Sequence, residues 1–300
     1  MTFDVVGVGH GAVDYLGVME RYPELDSKVE LSEFSMQGGG PVATALATLA
    51  ILGVKTTFIG KISDDDFGQF IQQGLREAEV DLSGLVIEPG RISPFSFVAV
   101  DRKSAKRTVF WTRGDVAPLR EKELRLDLFD QARILHVDGL QMESQIAAAL
   151  HAKGQGMQVV YDAGSPRVGM HELMKLTDVL IASETFATEV VGGALPESLK
   201  ALQAKGPRTV VITIGPEGSV GLEEEHSEAL PAFAIHPVDT TGAGDVYHGA
   251  FIYGLLQGWD LRRKMLFANA AAGLKCRVLG GRAGIPSLQE IEQFLKKTGS

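Results

Sequence analysis

Three hundred residues, 45% hydrophobic and 22% charged, suffice for one sizeable core and show no compositional bias toward disorder. A formal charge of −9 without clustered Lys and Arg excludes a general nucleic-acid binder, because phosphate backbones are held mainly by such clusters. The single cysteine, Cys276, excludes an intrachain disulfide, and no stretch reaches the roughly 18 apolar residues of a membrane span.

The chain opens on MTFDVVGVGHGAVD, whose early acid and short apolar run read as neither signal peptide nor anchor, so the expected compartment is the cytoplasm. FDVVGVG is strand-like. The segment at 15–37, containing YLGVMERYPELDSKVELSEF, reads as hairpin strands, and PVATALATLAILG then follows with helical spacing. KTTFIG is a strand, and the acids Asp64, Asp65 and Asp66 are placed to start a helix rather than to bind a metal. A second hairpin is expected over 92–112, around SPFSFVAVDRKSAKRTVFW. Beyond it, ARILHVD, MQVVYD, TDVLIAS and RTVVITIG are Val- and Ile-rich strands interleaved with helices such as SQIAAALHAKG; DLRRKMLFANAAAGLKC and SLQEIEQFLKK close the chain as helices. This alternation predicts an α/β fold over 1–300: a mostly parallel central sheet with helices on both faces and ligand sites beyond the carboxyl ends of its strands. The two hairpins predict a small β flap over one end, although an antiparallel extension of the main sheet would give the same pattern.

VDTTGAGDVYHGAF, residues 238–251, carries the chemistry. Val246, Ala250, Phe251 and Leu255 recur at helical spacing, so a helix starts at the glycines. Its first N–H groups lack partners within the helix, and glycine lets an anion approach them, so Gly242, Ala243 and Gly244 form a candidate phosphate cradle. Asp245 at its mouth would repel that anion unless it took a proton from an attacking hydroxyl. A plain helix-start acid, worth ~0.3–1 kcal/mol, is the bland alternative.

DTTGAGD at 239–245 and GGGPVATALATLAILG at 38–53 resemble the two signatures of the PfkB, or ribokinase-like, carbohydrate kinases. GVGHGAVD at 7–14, GKISDDDFG at 60–68, HVDG at 136–139, TIGPEG at 213–218 and GGRAGIP at 280–286 follow in family order. The resemblance implies a Rossmann-type core with a β-sheet lid, ATP and Mg2+ as cofactors, a small sugar as substrate and a homodimer through the lid. It implies Asp245 as catalytic base and Gly242, Ala243 and Gly244 as anion hole. On the sugar side it implies Asp14, ending the first strand, with Gly38, Gly39, Gly40 and Gly139; on the nucleotide side, Ser183, Glu184, Thr213, Gly215, Gly218 and Asn269. A K+ site is implied at oxygens of Asp239 and Thr241 and the carbonyls of Lys275, Val278 and Gly280, with Gly284 standing where relatives often place a serine ligand.

Two departures stand out. Ala43 replaces a sugar-binding Asn, and the Asn-x-x-Glu element that organises magnesium becomes SETFATE, with Ser183 and Phe186 in the key positions. The GGGP-A-AT segment around Ala43 and the KC…GGRAGIP tail resemble a subgroup that includes sulfofructose kinase. Lys28, Arg107, Trp111 and Arg113 on the β flap and its neighbours are candidates to grip an anionic substituent, Arg113 foremost. Surface solubility is the alternative. Two rival functions remain: an NAD(P) enzyme, disfavoured because GVGHGA misses the G-x-G-x-x-G spacing, and a sugar-binding regulator that has lost catalysis. His10, His136 and His248 lack metal-site spacing, and Cys276 lacks an activating base in sequence.

Overall fold

The computed structural model describes residues 2–299. In chain order the strands are β1 (Val5–Val8), β2 (Ala12–Met19), β3 (Glu33–Gly39), β4 (Thr56–Ile59), β5 (Lys61–Ile62), β6 (Val86–Ile87), β7 (Phe95–Asp101), β8 (Arg107–Thr112), β9 (Ile134–Val137), β10 (Gln158–Ala163), β11 (Val179–Ser183), β12 (Thr209–Thr213), β13 (Ser219–Glu223) and β14 (His226–Leu230). The helices are α1 (Pro41–Ile51), α2 (Asp66–Glu77), α3 (Met142–Gly154), α4 (Met170–Leu176), α5 (Glu184–Val190), α6 (Leu195–Gln203), α7 (Ala243–Leu256), α8 (Leu261–Lys275) and α9 (Leu288–Thr298).

Eight strands form the main sheet in the order β14-β13-β12-β11-β10-β9-β1-β4. All neighbours from β4 to β12 are parallel, and β13 and β14 extend the sheet antiparallel. Strands such as VVGV and ILHV are buried along their whole length because both faces are covered. Alternation splits them between two cores. Val5, Ile134, Val160, Ile181 and Val211 point toward α1, α7 and α8, while Val6, Leu135, Val159, Leu180 and Val210 point toward the α3 to α6 side. The polar β13–β14 hairpin carried too little apolar signal to be read from sequence.

A separate four-stranded sheet, β3-β2-β7-β8, lies over the carboxyl ends of the main strands and pairs β2 with β7 in parallel. Its strands cover the expected hairpin regions, but the hand-over from the main sheet comes earlier. β1 ends at Val8 and β2 begins at Ala12, so Asp14 sits within the small sheet and not at the end of the first strand. Gly9 lies at this hand-over, where a side chain would meet Val42 Cγ2 at 2.5 Å and Asp138 Oδ2 at 2.6 Å, so glycine alone lets the backbone pass this close to α1 and Asp138. The inner face of the small sheet packs Leu16, Val18, Val98 and Val100 on Leu279. Gln37 fastens it: Nε2 donates to the Leu279 carbonyl at 2.9 Å, and Oε1 accepts from the Arg282 and Ala283 amides at 3.3 and 3.1 Å. No described helix is long and apolar enough to cross a membrane.

Candidate active site

The crevice lies between the small sheet and the carboxyl ends of β1, β9 and β10, where open α/β sheets bind ligands. On its floor, α7 starts as its glycines predict. Gly242 is the N-cap with φ 73°, a left-handed turn that aims the following amides outward. The Ala243 amide donates back to the Thr240 carbonyl at 3.2 Å, while those of Gly244 and Asp245 have no carbonyl one turn earlier in the helix. Open space surrounds Gly244. Asp245 is half-buried, and no lysine or arginine lies within ion-pair distance of its carboxylate among the described residues. Burial raises its pKa, against the opposing pull of His248, Arg107 and Arg282.

Facing it from β2, Asp14 accepts the Ser96 hydroxyl at 2.6 Å. Its pKa is also raised by burial and lowered by that bond and by Arg282. Gly39 brings its backbone against this carboxylate, since a Cβ there would come within 2.1 Å of Asp14 Oδ2. Gly38 does the same toward Arg282, and Gly40 caps α1. Arg282 was not singled out from sequence. Its Nη2 donates to the Gly39 carbonyl at 2.7 Å and its Nε to Thr44 Oγ1 at 3.2 Å, while the buried Nη1 has no partner. Burial presses its pKa from 12.5 to about 10, with Asp14 and Asp245 as the compensating charges.

A second cluster forms where β8 returns. Trp111 is half exposed, and two guanidinium carbons, of Arg113 and Arg167, stand 5.3 and 5.8 Å from its ring centroid. His10 meets the same ring edge-on at 6.4 Å. Arg113 donates to the Leu140 carbonyl at 2.8 Å. Burial and the neighbouring Arg167 charge lower its pKa. Neither arginine has a carboxylate within ion-pair distance among the described residues. Arg107 instead joins β8 to the cradle, donating to Thr240 Oγ1 at 2.9 Å. Lys28 is exposed in the β2–β3 connection and makes no hydrogen bond or ion pair with these groups among the described residues.

Beneath the cradle lie buried acids and histidines. Asp138 accepts from the His10 and Leu140 amides at 2.8 and 2.9 Å, and the adjacent Gly139 abuts Tyr161. Burial lowers His10 to about 4 and raises Asp162 to about 7, Asp245 and Asp138 adding to the latter. Asp162 stands 3.4 Å from His248, whose other ring nitrogen lies 2.6 Å from the Gly244 carbonyl.

On the opposite side, Thr213, Gly215 and Gly218 form the turn after β12, with open space beside Gly215. Ser183 is the N-cap of α5, accepting from the Phe186 amide at 3.0 Å; Glu184 is exposed, and Phe186 is fully buried. Asn269 is buried with its amide engaged by Ser219 and the Pro231 carbonyl. Ala43 is buried in α1.

The residues matched to a K+ site gather around Asp239, which is fully buried. Its carboxylate accepts from the Thr241 amide and hydroxyl at 2.9 and 2.7 Å and from the Gly280 amide at 2.8 Å. Lys275 Nζ, also fully buried, donates to the Asp239 carbonyl at 3.0 Å. Val278 is exposed.

The model of the pfkB family carbohydrate kinases matches residues 3–288. The chain belongs to this family. The activity that membership carries is, in general terms, ATP-dependent phosphorylation of a sugar. Among similar proteins are a ribokinase of Haemophilus influenzae, 28% identical over 270 residues (86% of this chain and 87% of that protein), and a 5-dehydro-2-deoxygluconokinase of Bacillus subtilis, 27% identical over 318 residues (98% and 96%). A chain from Escherichia coli solved in complex with ATP and Mg2+ has a TM-score of 0.86 at 21% identity, covering 99% of this chain and 100% of that one, and shows the shared PfkB fold. These relatives give no specific support to a sulfofructose kinase subgroup.

Proposed function

We propose that the protein phosphorylates a hydroxyl of a small sugar bearing an anionic group, with ATP as donor, Mg2+ as cofactor and Asp245 as general base. The observation that carries this reading is an ion-pair-free carboxylate in the first turn of α7 beside outward-facing amides. ATP supplies the transferable phosphoryl group, and Mg2+ lowers its charge. The turn at Thr213, Gly215 and Gly218 and the open space at Gly244 would admit a triphosphate against bare backbone, and the similar Escherichia coli chain was solved with ATP and Mg2+. Ser183 and Phe186 supply no magnesium-organising acid, so Mg2+ would be held mostly through the phosphate oxygens of the nucleotide and water, as that ion prefers.

Asp14 accepts sugar hydroxyl hydrogen bonds, and Gly39 lets that carboxylate lie against the backbone of the small sheet. Asp245 removes the proton from the attacking hydroxyl, while the amides at its helix start hold the charge that develops. The small sheet excludes water. Arg113 and Arg167 flank Trp111, and neither has a carboxylate within ion-pair distance among the described residues, Asp138 offsetting the charge of Arg113 only from farther away; this supports an anionic substituent on the sugar: carboxylate, phosphate or sulfonate. Exposed Phe34, Met36 and Phe110, on the face of the small sheet opposite Asp14 and Trp111, support pairing of two copies there.

The test is ADP release over ribose, fructose, fructose phosphates, sulfofructose, 2-keto-3-deoxygluconate and nucleosides. The anionic sugars are expected to lead, and Asp245→Asn is expected to remove ~10²–10⁴ of turnover while the protein stays folded. Wild-type turnover in Asp245→Asn rules out the base, and preference for a neutral sugar rules out the anionic class. The buried Phe186 favours a second reading, a sugar-binding regulator without catalysis. Steady ADP release with any of these sugars excludes it.

A further inference from the structure

The ring of oxygens that the family resemblance assigns to K+ contains a cation of its own. Lys275 is the last residue of α8; its side chain is fully buried and its Nζ lies 3.0 Å from the Asp239 main-chain oxygen. Two further observations argue against an added ion at that place. The Asp239 carboxylate is already met by three donors, the Thr241 amide, the Thr241 hydroxyl and the Gly280 amide. The position of the extra serine ligand is closed as well: a Cβ on Gly284 would come 2.7 Å from the Lys275 carbonyl oxygen and 3.0 Å from Val278 Cβ. A K+ ion bound through the Asp239 carbonyl would share that oxygen with an ammonium, and like charges held so close inside a protein repel strongly.

We propose that the Lys275 ammonium replaces the monovalent cation in this chain, so that the cradle is held in shape without added K+. Lys275 acts as a positioning residue. Its bond fixes the 238–241 segment, which is also tied to α8 through the Val238 and Asp239 amides on the Cys276 carbonyl at 2.7 and 3.2 Å. That segment runs directly into Gly242 and the outward-facing amides. A lysine so placed keeps them aimed whatever the salt composition, whereas a diffusible ion would make the same geometry depend on its concentration.

The test compares KCl, NaCl and tetramethylammonium chloride at one ionic strength, read by melting temperature without substrate and by ADP release with the best sugar. For the wild-type protein both are expected to be indifferent to the cation, with rates within about twofold, against the roughly 5- to 150-fold of a linked activating site. Lys275→Ala, which opens space beside the Asp239 carbonyl, is expected to gain a melting temperature that rises specifically with KCl. Lys275→Met, which fills that space without charge, is expected to lose about 10²-fold in rate, as a misplaced cradle would. A K+-specific rise in wild-type melting temperature or rate overturns the proposal, and so does full activity of Lys275→Met without K+. The inference rests on the kinase reading for its rate arm only. The melting arm needs no turnover, so failure of the cation assignment is distinguishable from failure of the kinase assignment.

Discussion

Arg282 offers a measurable separation between stability and function. Its fall from 12.5 to about 10 corresponds to about 3 kcal/mol against keeping the guanidinium charged in the fold. Replacing it with Leu removes that cost and also its two bonds, to Gly39 and Thr44, each worth ~1.5–3 kcal/mol for a charged donor. The net loss is then no more than about 3 kcal/mol, a melting shift of several degrees for a chain of this size. The site is affected differently. Arg282 lowers the pKa of both Asp245 and Asp14, so its removal raises them further. The base form of Asp245 is then reached only at higher pH, and the acid limb of kcat/KM moves upward. Calorimetry together with kcat/KM across pH reads both effects, with Arg282→Lys as the variant that keeps a charge. An Arg282→Leu protein whose acid limb stays in place would refute the claim that this buried cation serves the carboxylates.

Two other expectations concern the same crevice. In Gly39→Ala the new Cβ would lie 2.1 Å from Asp14 Oδ2, about 1.3 Å short of ordinary contact, so Asp14 must shift. The protein should fold while kcat/KM falls about 10²-fold, and unchanged kinetics would show that the position of Asp14 is immaterial. Asp162, raised by burial to about 7 from 3.8, binds a proton in the folded chain that the unfolded chain releases. Its contribution is therefore fully present below about pH 4 and is lost as pH rises through about 7, on the order of 4 kcal/mol in all. Asp162→Asn keeps an oxygen for His248 and should flatten the decline in stability between those pH values; an identical decline in the variant would assign it to other groups.

The core of this architecture was legible because its signals are local. Val- and Ile-rich runs of four or five residues mark β1, β9, β11 and β12, and the glycines of DTTGAGD mark the start of α7 within a residue. The two hairpins gave the small sheet. What was illegible depends on distance. Arg282 reaches Gly39 across 243 positions, and Gln37 reaches Leu279 across 242. Arg167 joins Trp111 only because the β10 loop and β8 converge in space. GVGHGAVD reads as one continuous run that would put Asp14 at the end of the first strand, whereas the structure interrupts it between Val8 and Ala12 and hands Asp14 to the small sheet. In the sequence only the main-chain carbonyl of Lys275 has an expected role; that its side chain turns inward onto the Asp239 carbonyl, 36 positions away, is visible only in the fold.

Gln37 couples two distant parts of the molecule. One amide side chain holds the small sheet to the 279–283 turn by three hydrogen bonds, and that turn also supplies the Gly280 amide to Asp239. Any movement of the small sheet away from that turn would have to break all three bonds and loosen a brace of the buried Asp239 carboxylate, so the sheet and the loop before α7 are mechanically linked.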